Sequence, residues 1–248
     1  ITKCGVTWDQ EMKGDLFNKV NGIQLYKNLN SDSIKREIEE SLKRMGTDYV
    51  DVYMTHWQSI EGSEYYVPIQ KTMEVLNDLK AQGKIKAIGA ANVDIKQIQE
   101  YLKHGELDIV QAKYSILDRG IEDEIIPCCR ENGVTIQAYS PLEMGLLSGT
   151  MPRDYKPVGA QIPKKWFQPD NMQKAMDVMD QWKPLCEKYN CTIANLALAW
   201  ILAQGEFINL LSGSTTVDQI KENVKSTELE MDPADVAMMR DMVEEIDK

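Results

Sequence analysis

Histidine is almost missing from this chain: 248 residues hold only His56 and His104. The five cysteines, Cys4, Cys128, Cys129, Cys186 and Cys191, are irregularly spaced, so no paired Cys and His set for zinc can be assembled and no metal is expected. Their odd number, in a chain large enough to fold without covalent staples, argues for reduced thiols. Long apolar runs are also lacking. No stretch reaches the roughly 18 residues that a membrane helix needs, and no charged-then-apolar leader precedes a cleavage site, so the chain reads as soluble, unexported and cytoplasmic. In that compartment the acceptor-like triplet Asn190-Cys191-Thr192 is a chance match to a glycosylation site. Positive charge is in deficit, with 28 Lys and Arg against 39 Asp and Glu and a formal charge of -11. Such a surface repels phosphate backbones and anionic lipid, so neither nucleic acid nor membrane is expected as a partner.

What the chain does contain is alternation. Short β-rich runs stand near Ile1 to Cys4, Tyr49 to Thr55, Ile85 to Ala90, Asp108 to Ala112, Val134 to Tyr139 and Phe207 to Leu211, with helical periodicity between them. Ile34, Ile38, Leu42 and Met45 fall on one helical face, with Ser31 placed to cap the start and Gly46 to end it. Ile69, Met73, Leu76 and Leu79, then Ile95, Ile98 and Leu102, repeat the pattern. Strand, helix, strand in regular order means parallel strands, either in an open doubly wound sheet or in a closed (β/α)8 barrel. The open sheet usually carries Gly-x-Gly-x-x-Gly after its first strand, and no such run occurs here. The expected fold is therefore an α/β (β/α)8 TIM barrel in one domain spanning 1–248, with about six of the eight strand-helix units inside this numbering. The first two units are expected to lie before Ile1.

One connection is disproportionately long. Residues 145–170 carry Pro152, Pro157, Gly159, Pro163 and Pro169 without clear periodicity, as lids and binding arms do. It follows the strand ending at Tyr139, which puts it on the carboxyl face of a barrel, where the active sites of that fold lie. Strand ends on that face offer Lys3, His56, Ala91 with Asn92, Gln111, Tyr139 with Ser140, and Gly213 with Ser214. Singly, each has a structural explanation, such as a helix cap for Asn92 or a hydrogen-bonded core amide for Gln111. Together they suggest a ligand. The run from Phe207 through Gly213 to Asn223 takes a strand through glycine straight into a helix, which aims backbone N–H groups and a positive helix end at an anion such as phosphate.

Six ordered stretches resemble landmarks of the aldo-keto reductases: Thr2-Lys-Cys-Gly5, Asp51-Val-Tyr-Met-Thr-His56-Trp57, Gly83 to Asn92, Gln111-Ala-Lys-Tyr-Ser115, Tyr139-Ser-Pro-Leu142, and Gly213-Ser214 to Glu222-Asn223. Within that superfamily the chain looks close to the bacterial methylglyoxal reductases that use NADH, and more distantly resembles potassium-channel β subunits. The resemblance implies a barrel that reduces aldehydes and ketones by hydride transfer from a nicotinamide, with an Asp, Tyr, Lys and His tetrad. Lys3 and His56 match two of the four. The family's Asp and Tyr fall on a segment that this numbering lacks, so no general acid is assigned. A carbonyl that receives hydride gathers negative charge on oxygen. A nearby ammonium, Lys3, favours ionisation of a proton donor, and His56 can donate a hydrogen bond to that oxygen.

By the same resemblance, Asn92 and Gln111 hold the nicotinamide carboxamide, and Ala91 replaces a serine often seen beside them. Tyr139 stacks on the ring. Ser140 and Leu142, with Gly145 and Gly149 letting the backbone approach closely, follow the pyrophosphate, and Pro141, Gly213, Ser214, Thr215, Gln219, Glu222 and Asn223 complete the cofactor contacts. Relatives that prefer NADPH commonly carry lysine at the position of Gly213 and arginine at that of Gln219, because a phosphate dianion needs cations. NADH is therefore favoured over NADPH. Thr216 to Gln219 also fits a capping box. Trp8, Trp57 and the loop residues Trp166 and Phe167 are candidate walls for a small carbonyl compound. Two other classes stay open at this point: a nucleotide-sensing regulatory subunit, and a barrel lyase or isomerase using Lys3 as a Schiff-base amine. Homo-oligomers are not excluded.

Overall fold

The computed structural model describes residues 1–8 and 13–247. They form two compact units: Ile1–Ala112 with Asp123–Ile136, and Lys113–Glu122 with Gln137–Lys248.

In the first unit the strands β1 (Thr2–Cys4), β2 (Val6–Thr7), β3 (Asp15–Val20) and β4 (Ile23–Lys27) precede helix α1 (Ser31–Met45). Then β5 (Val50–Thr55), α2 (Ile69–Ala81), β6 (Ile85–Ala91), α3 (Ile95–His104) and β7 (Ile109–Lys113) alternate, and α4 (Ile125–Glu131) leads into β8 (Thr135–Tyr139). β1 pairs with β5, β5 with β6 and β6 with β7, all parallel. Most of the expected apolar positions are buried: Ile34, Ile38 and Leu42 on α1, Met73, Leu76 and Leu79 on α2, and Ile98 on α3; Met45 is instead 48 % exposed, Ile69, Ile95 and Leu102 are only partly buried, and Tyr101 takes the buried place beside Ile98. α1 ends as expected, with Gly46 left-handed at φ 65°. Its cap is not Ser31, however. The Asn30 side chain accepts from the Ser33 N–H at 2.8 Å, so the helix begins one residue beyond its cap, at Ser31.

The second unit holds the end of β8, α5 (Pro169–Gln181), α6 (Lys183–Tyr189), α7 (Ile193–Leu202), β9 (Ile208–Leu211), α8 (Val217–Val224) and α9 (Pro233–Ile246). β9 follows β8 in the strand order. α7 is apolar on nearly every face and is buried from Ala194 to Ile201. Arg240 on α9 makes paired hydrogen bonds to the Glu122 carboxylate at 2.6 and 2.8 Å, and Tyr114 donates to the same group at 2.7 Å. All six expected strands are present, with ends within one residue of the sequence reading.

The antiparallel group β2-β4-β3 was not expected. Its strands face solvent, with Leu16 and Ile23 well exposed, so the alternation that betrays a half-buried strand is weak. One signal was there: Asn21-Gly22, both at positive φ, is the two-residue turn that right-twisted hairpins demand.

Candidate functional site

In the first unit, parallel register decides which side chains share an edge. Lys3 pairs across β1 and β5 with Met54, and Cys4 with Thr55. The His56 N–H then donates to the Cys4 carbonyl at 2.8 Å, so the histidine stands one step past the end of β5, beside Lys3. Thr55 is opposite Ala90, and Ala91 opposite Gln111. Asn92, with φ at 55°, donates its N–H to the Gln111 carbonyl at 3.1 Å and its side-chain amide to the His56 carbonyl at 2.9 Å. Lys3, His56 and Asn92 thus stand at or next to the carboxyl ends of three neighbouring parallel strands, and Gln111, the third of five residues in β7, lies level with the end of β6.

Beneath them lies a polar lock that the sequence did not reveal. Tyr101 on α3 donates to Gln58 Oε1 at 2.7 Å and shares a 3.0 Å hydrogen bond with the Thr55 hydroxyl, while Gln58 Nε2 donates to Thr55 Oγ1 at 3.0 Å. All three side chains are buried, so a closed set of hydrogen bonds fixes the backbone on both sides of His56. Burial, with the charge of Lys3 added, holds the His56 imidazole below its ordinary pKa. The ring is therefore neutral at pH 7 and able to donate one N–H. Burial also lowers the Lys3 ammonium.

The aromatic candidates divide. Trp57 lies between the hairpin and the site: its ring is 5.5 Å from that of Phe17 on β3, Lys27 Nζ is 4.9 Å from its centroid, and the His56 ring is 6.5 Å away. Trp8 is 60 % exposed. Trp166 and Phe167 are not pocket walls but anchors, 4 % and 2 % exposed, with Trp166 Nε1 donating to the Leu117 carbonyl at 2.8 Å. Two buried aromatics in one short turn hold the long connection down, as cores do.

Glu37 on α1 takes the Gly5 N–H on its carboxylate, at 3.1 Å to the nearer oxygen, and the Ser33 hydroxyl at 2.9 Å. Burial raises this carboxyl from 4.5 to about 7; the Ser33 and Gly5 bonds hold it back, and Glu40 adds a little. A carboxyl whose folded pKa is raised stabilises the fold below its unfolded value, and that contribution is lost as pH climbs through the folded value. Stability should therefore fall between about 4.5 and about 7, by on the order of 3 kcal/mol. Urea unfolding across that range should show a flatter profile for Glu37→Gln than for the parent; parallel profiles would assign the slope elsewhere.

The second unit contains a cavity of about 680 Å³. Of the residues expected at the cofactor, Leu142, Gly145, Gly149, Gly213, Thr215, Gln219, Glu222 and Asn223 line it, and Tyr139, Ser140, Pro141 and Ser214 do not. Ser214 is tied to the lining through the Asn223 amide at 3.1 Å. Sequence reading missed Met151 and Tyr155 from the long connection and Thr192 and Ile193 at the start of α7. The Asn-Cys-Thr cap before an apolar helix was the available signal for the last two. Thr216 caps α8 by accepting from the Gln219 N–H at 3.2 Å. The return half of the expected capping box is displaced by one residue: Gln219 Oε1 accepts from the Thr215 N–H at 2.8 Å and from its hydroxyl at 3.0 Å. Among the described residues, no Lys, Arg or His lines the cavity. Arg153, beside Pro152, is held by Asp177 and Asp180. A recess of this size, lined at the N-termini of both α7 and α8 and without a cation among its described lining residues, suits a dinucleotide that lacks an extra phosphate.

Among the described residues there is no cluster of His, Cys, Asp and Glu that could hold a metal, no disulfide, and no helix long and apolar enough to cross a membrane.

A parallel α/β fold whose strand ends gather an amine, an imidazole and two amides has the form of a nicotinamide-dependent barrel oxidoreductase. Residues 9–244 match the aldo/keto reductase family model, and the chain belongs to that family. It is 56 % identical over 247 residues to the NADH-specific methylglyoxal reductase of Escherichia coli (strain K12), covering 100 % of this chain and 74 % of the relative. It is 34 % identical over 251 residues to the aldo-keto reductase str7 of Strobilurus tenacellus, covering 98 % and 68 %. Among solved structures, the glycerol dehydrogenase AKR11B4 from Gluconobacter oxydans superposes with a TM-score of 0.85 at 25 % identity, over 97 % of this chain and 70 % of that one. Its fold class is thus the (β/α)8 barrel of that family.

Proposed function

We propose that this protein reduces small aldehydes and ketones to alcohols with NADH in the cytoplasm, methylglyoxal being the first substrate to try because a relative of 56 % identity carries that name. The observation that carries the reading is the placement of Lys3 and His56 at neighbouring strand ends, with burial and the charge of Lys3 favouring the neutral imidazole. A neutral imidazole donates a hydrogen bond to a carbonyl oxygen without giving up its proton, which polarises the carbonyl and stabilises charge as it builds. Lys3 adds a positive field at the same edge and favours the ionised form of a proton donor. Asn92 and Gln111 offer amides suited to a carboxamide, and Tyr139 a flat ring face, in the roles the family resemblance gives them. Reduced nicotinamide supplies the hydride when bound. The cavity of the second unit is assigned to its nucleotide, with the α8 N-terminus favouring the anionic part.

The test is steady-state consumption of NADH by the full chain with methylglyoxal and a panel of aldehydes, with the alcohol quantified. His56→Phe, which removes the donor, is expected to lower kcat by about 100- to 1000-fold. NADH that binds but is never consumed by any carbonyl would instead favour a nucleotide sensor.

A further inference from the structure

Among the described residues, Glu143 is the one charged side chain that is fully buried, at 3 % exposure. A carboxylate out of water persists only when it is paired and its oxygens are hydrogen-bonded. Both conditions are met within the second unit. Oε1 accepts from the Ser115 hydroxyl at 2.7 Å, and Oε2 pairs with Lys113 Nζ at 3.0 Å. Lys113 also reaches Asp118 at 2.7 Å, and Ser115 Oγ accepts the N–H groups of Leu117 and Asp118 at 3.2 and 3.0 Å. The pair is therefore built into a rigid turn. Burial pulls the Lys113 ammonium down, but the bond from Asp118 and the charge of Glu143 more than offset it, so the amine stays charged.

The backbone at this point is unusual. Glu143 and Met144 have φ of 45° and 52°, and Gly145 follows at 96°. Two successive side-chain-bearing residues in left-handed conformation endure only where the surroundings over-determine them. Here the anchoring group is the Glu143 carboxylate, and its immediate neighbours Leu142, Met144 and Gly145 line the cavity.

We propose that the Lys113–Glu143 pair is a positioning element for nucleotide binding: it holds the left-handed turn whose residues form one wall of the cavity, and so sets the affinity for the dinucleotide without touching it. This rests on the assignment of that cavity to NADH. Removing the pair should weaken ground-state and transition-state binding alike, raising KM for NADH with little change in kcat. Glu143→Gln keeps the shape but loses the ion pair. Lys113→Met leaves a buried carboxylate without its amine, the more damaging of the two. Lys113→Met with Glu143→Gln removes both charges, so it should recover part of what Lys113→Met loses.

NADH titration by fluorescence on the full chain, with steady-state kinetics and melting curves, tests this. For Glu143→Gln the dissociation constant and KM for NADH should rise by about tenfold or more, kcat at saturating NADH changing by less than about threefold, and the double variant should bind NADH more tightly than Lys113→Met. Lys113→Arg, which keeps the charge, should stay near the parent. Singles that bind NADH like the parent, or that lose only melting temperature or only kcat, would overturn the proposal while leaving the cavity assignment intact. A parent chain that reduces carbonyls with NADH but whose Met144 and Gly145 variants do not alter NADH affinity would overturn it too. Failure of the parent itself to bind NADH would strike the function reading first, and would be seen before any variant is made.

Discussion

Lys3→Met is expected to lower kcat/KM for carbonyl reduction by about 100- to 10,000-fold, about 2.7 to 5.5 kcal/mol of transition-state stabilisation, while NADH affinity stays within about threefold. The amine stands on β1 beside the end of β5 and helps depress the pKa of the neighbouring imidazole; in the proposed reaction its charge would also favour ionisation of a proton donor. Removing it has a second, independent signature. Lys3 is one of the two causes that hold His56 below its ordinary pKa, burial being the larger, so in Lys3→Met the imidazole should titrate at higher pH than in the parent. Nuclear magnetic resonance of the His56 ring reads this directly, even in a variant without turnover. An unchanged His56 titration would mean that the two groups do not interact. Retained activity would remove Lys3 from the chemistry, and a covalent adduct trapped by borohydride would point to Schiff-base catalysis instead.

The second large effect concerns the nucleotide. Among the described residues no cation lines the cavity and Glu222 is its one carboxylate, so an added phosphate finds no cationic partner, and NADH is expected to exceed NADPH in catalytic efficiency by more than about tenfold, or 1.4 kcal/mol. Gly213 is exposed, and a side chain built there meets nothing within 4 Å. Gly213→Lys is therefore sterically open. Gln219→Arg gives up the bonds to Thr215, a loss at the exposed start of α8. The double variant is expected to move the NADPH to NADH ratio by about tenfold or more toward NADPH, through KM rather than kcat. A parent that prefers NADPH would contradict this reading of the cavity.

Much of the scaffold was legible because burial on both faces of a parallel sheet leaves short apolar runs such as Val52 to Met54 and Ala87 to Ala91, and because α1 to α3 each show an apolar stripe. Strand register then carried Lys3, His56, Asn92 and Gln111 to one edge, as their positions at strand ends implied. Features that depend on tertiary partners were not legible. The Tyr101, Gln58 and Thr55 lock joins residues up to 46 apart, and no periodicity announces it. Nothing in the sequence around Glu143 marks it as buried. Only the structure shows it buried against Lys113, 30 positions earlier in the numbering. For Trp166 and Phe167 the sequence allows either a binding wall or plain packing, and the hydrogen bond to the Leu117 carbonyl together with burial shows packing. Ser31 and Asn30 compete as caps one residue apart, and the hydrogen bond from Ser33 decides for Asn30.

The most direct measurement is the fate of a label. Incubating the full chain with methylglyoxal and NADH deuterated at the transferable position of the nicotinamide, and analysing the alcohol by mass spectrometry, follows the hydride itself. Deuterium on the carbinol carbon, one atom per NADH oxidised, is the expected result, with incorporation falling in Lys3→Met and His56→Phe in step with their rates. Alcohol formed without label, or NADH that binds tightly and is recovered unoxidised whatever carbonyl is added, would contradict the assignment.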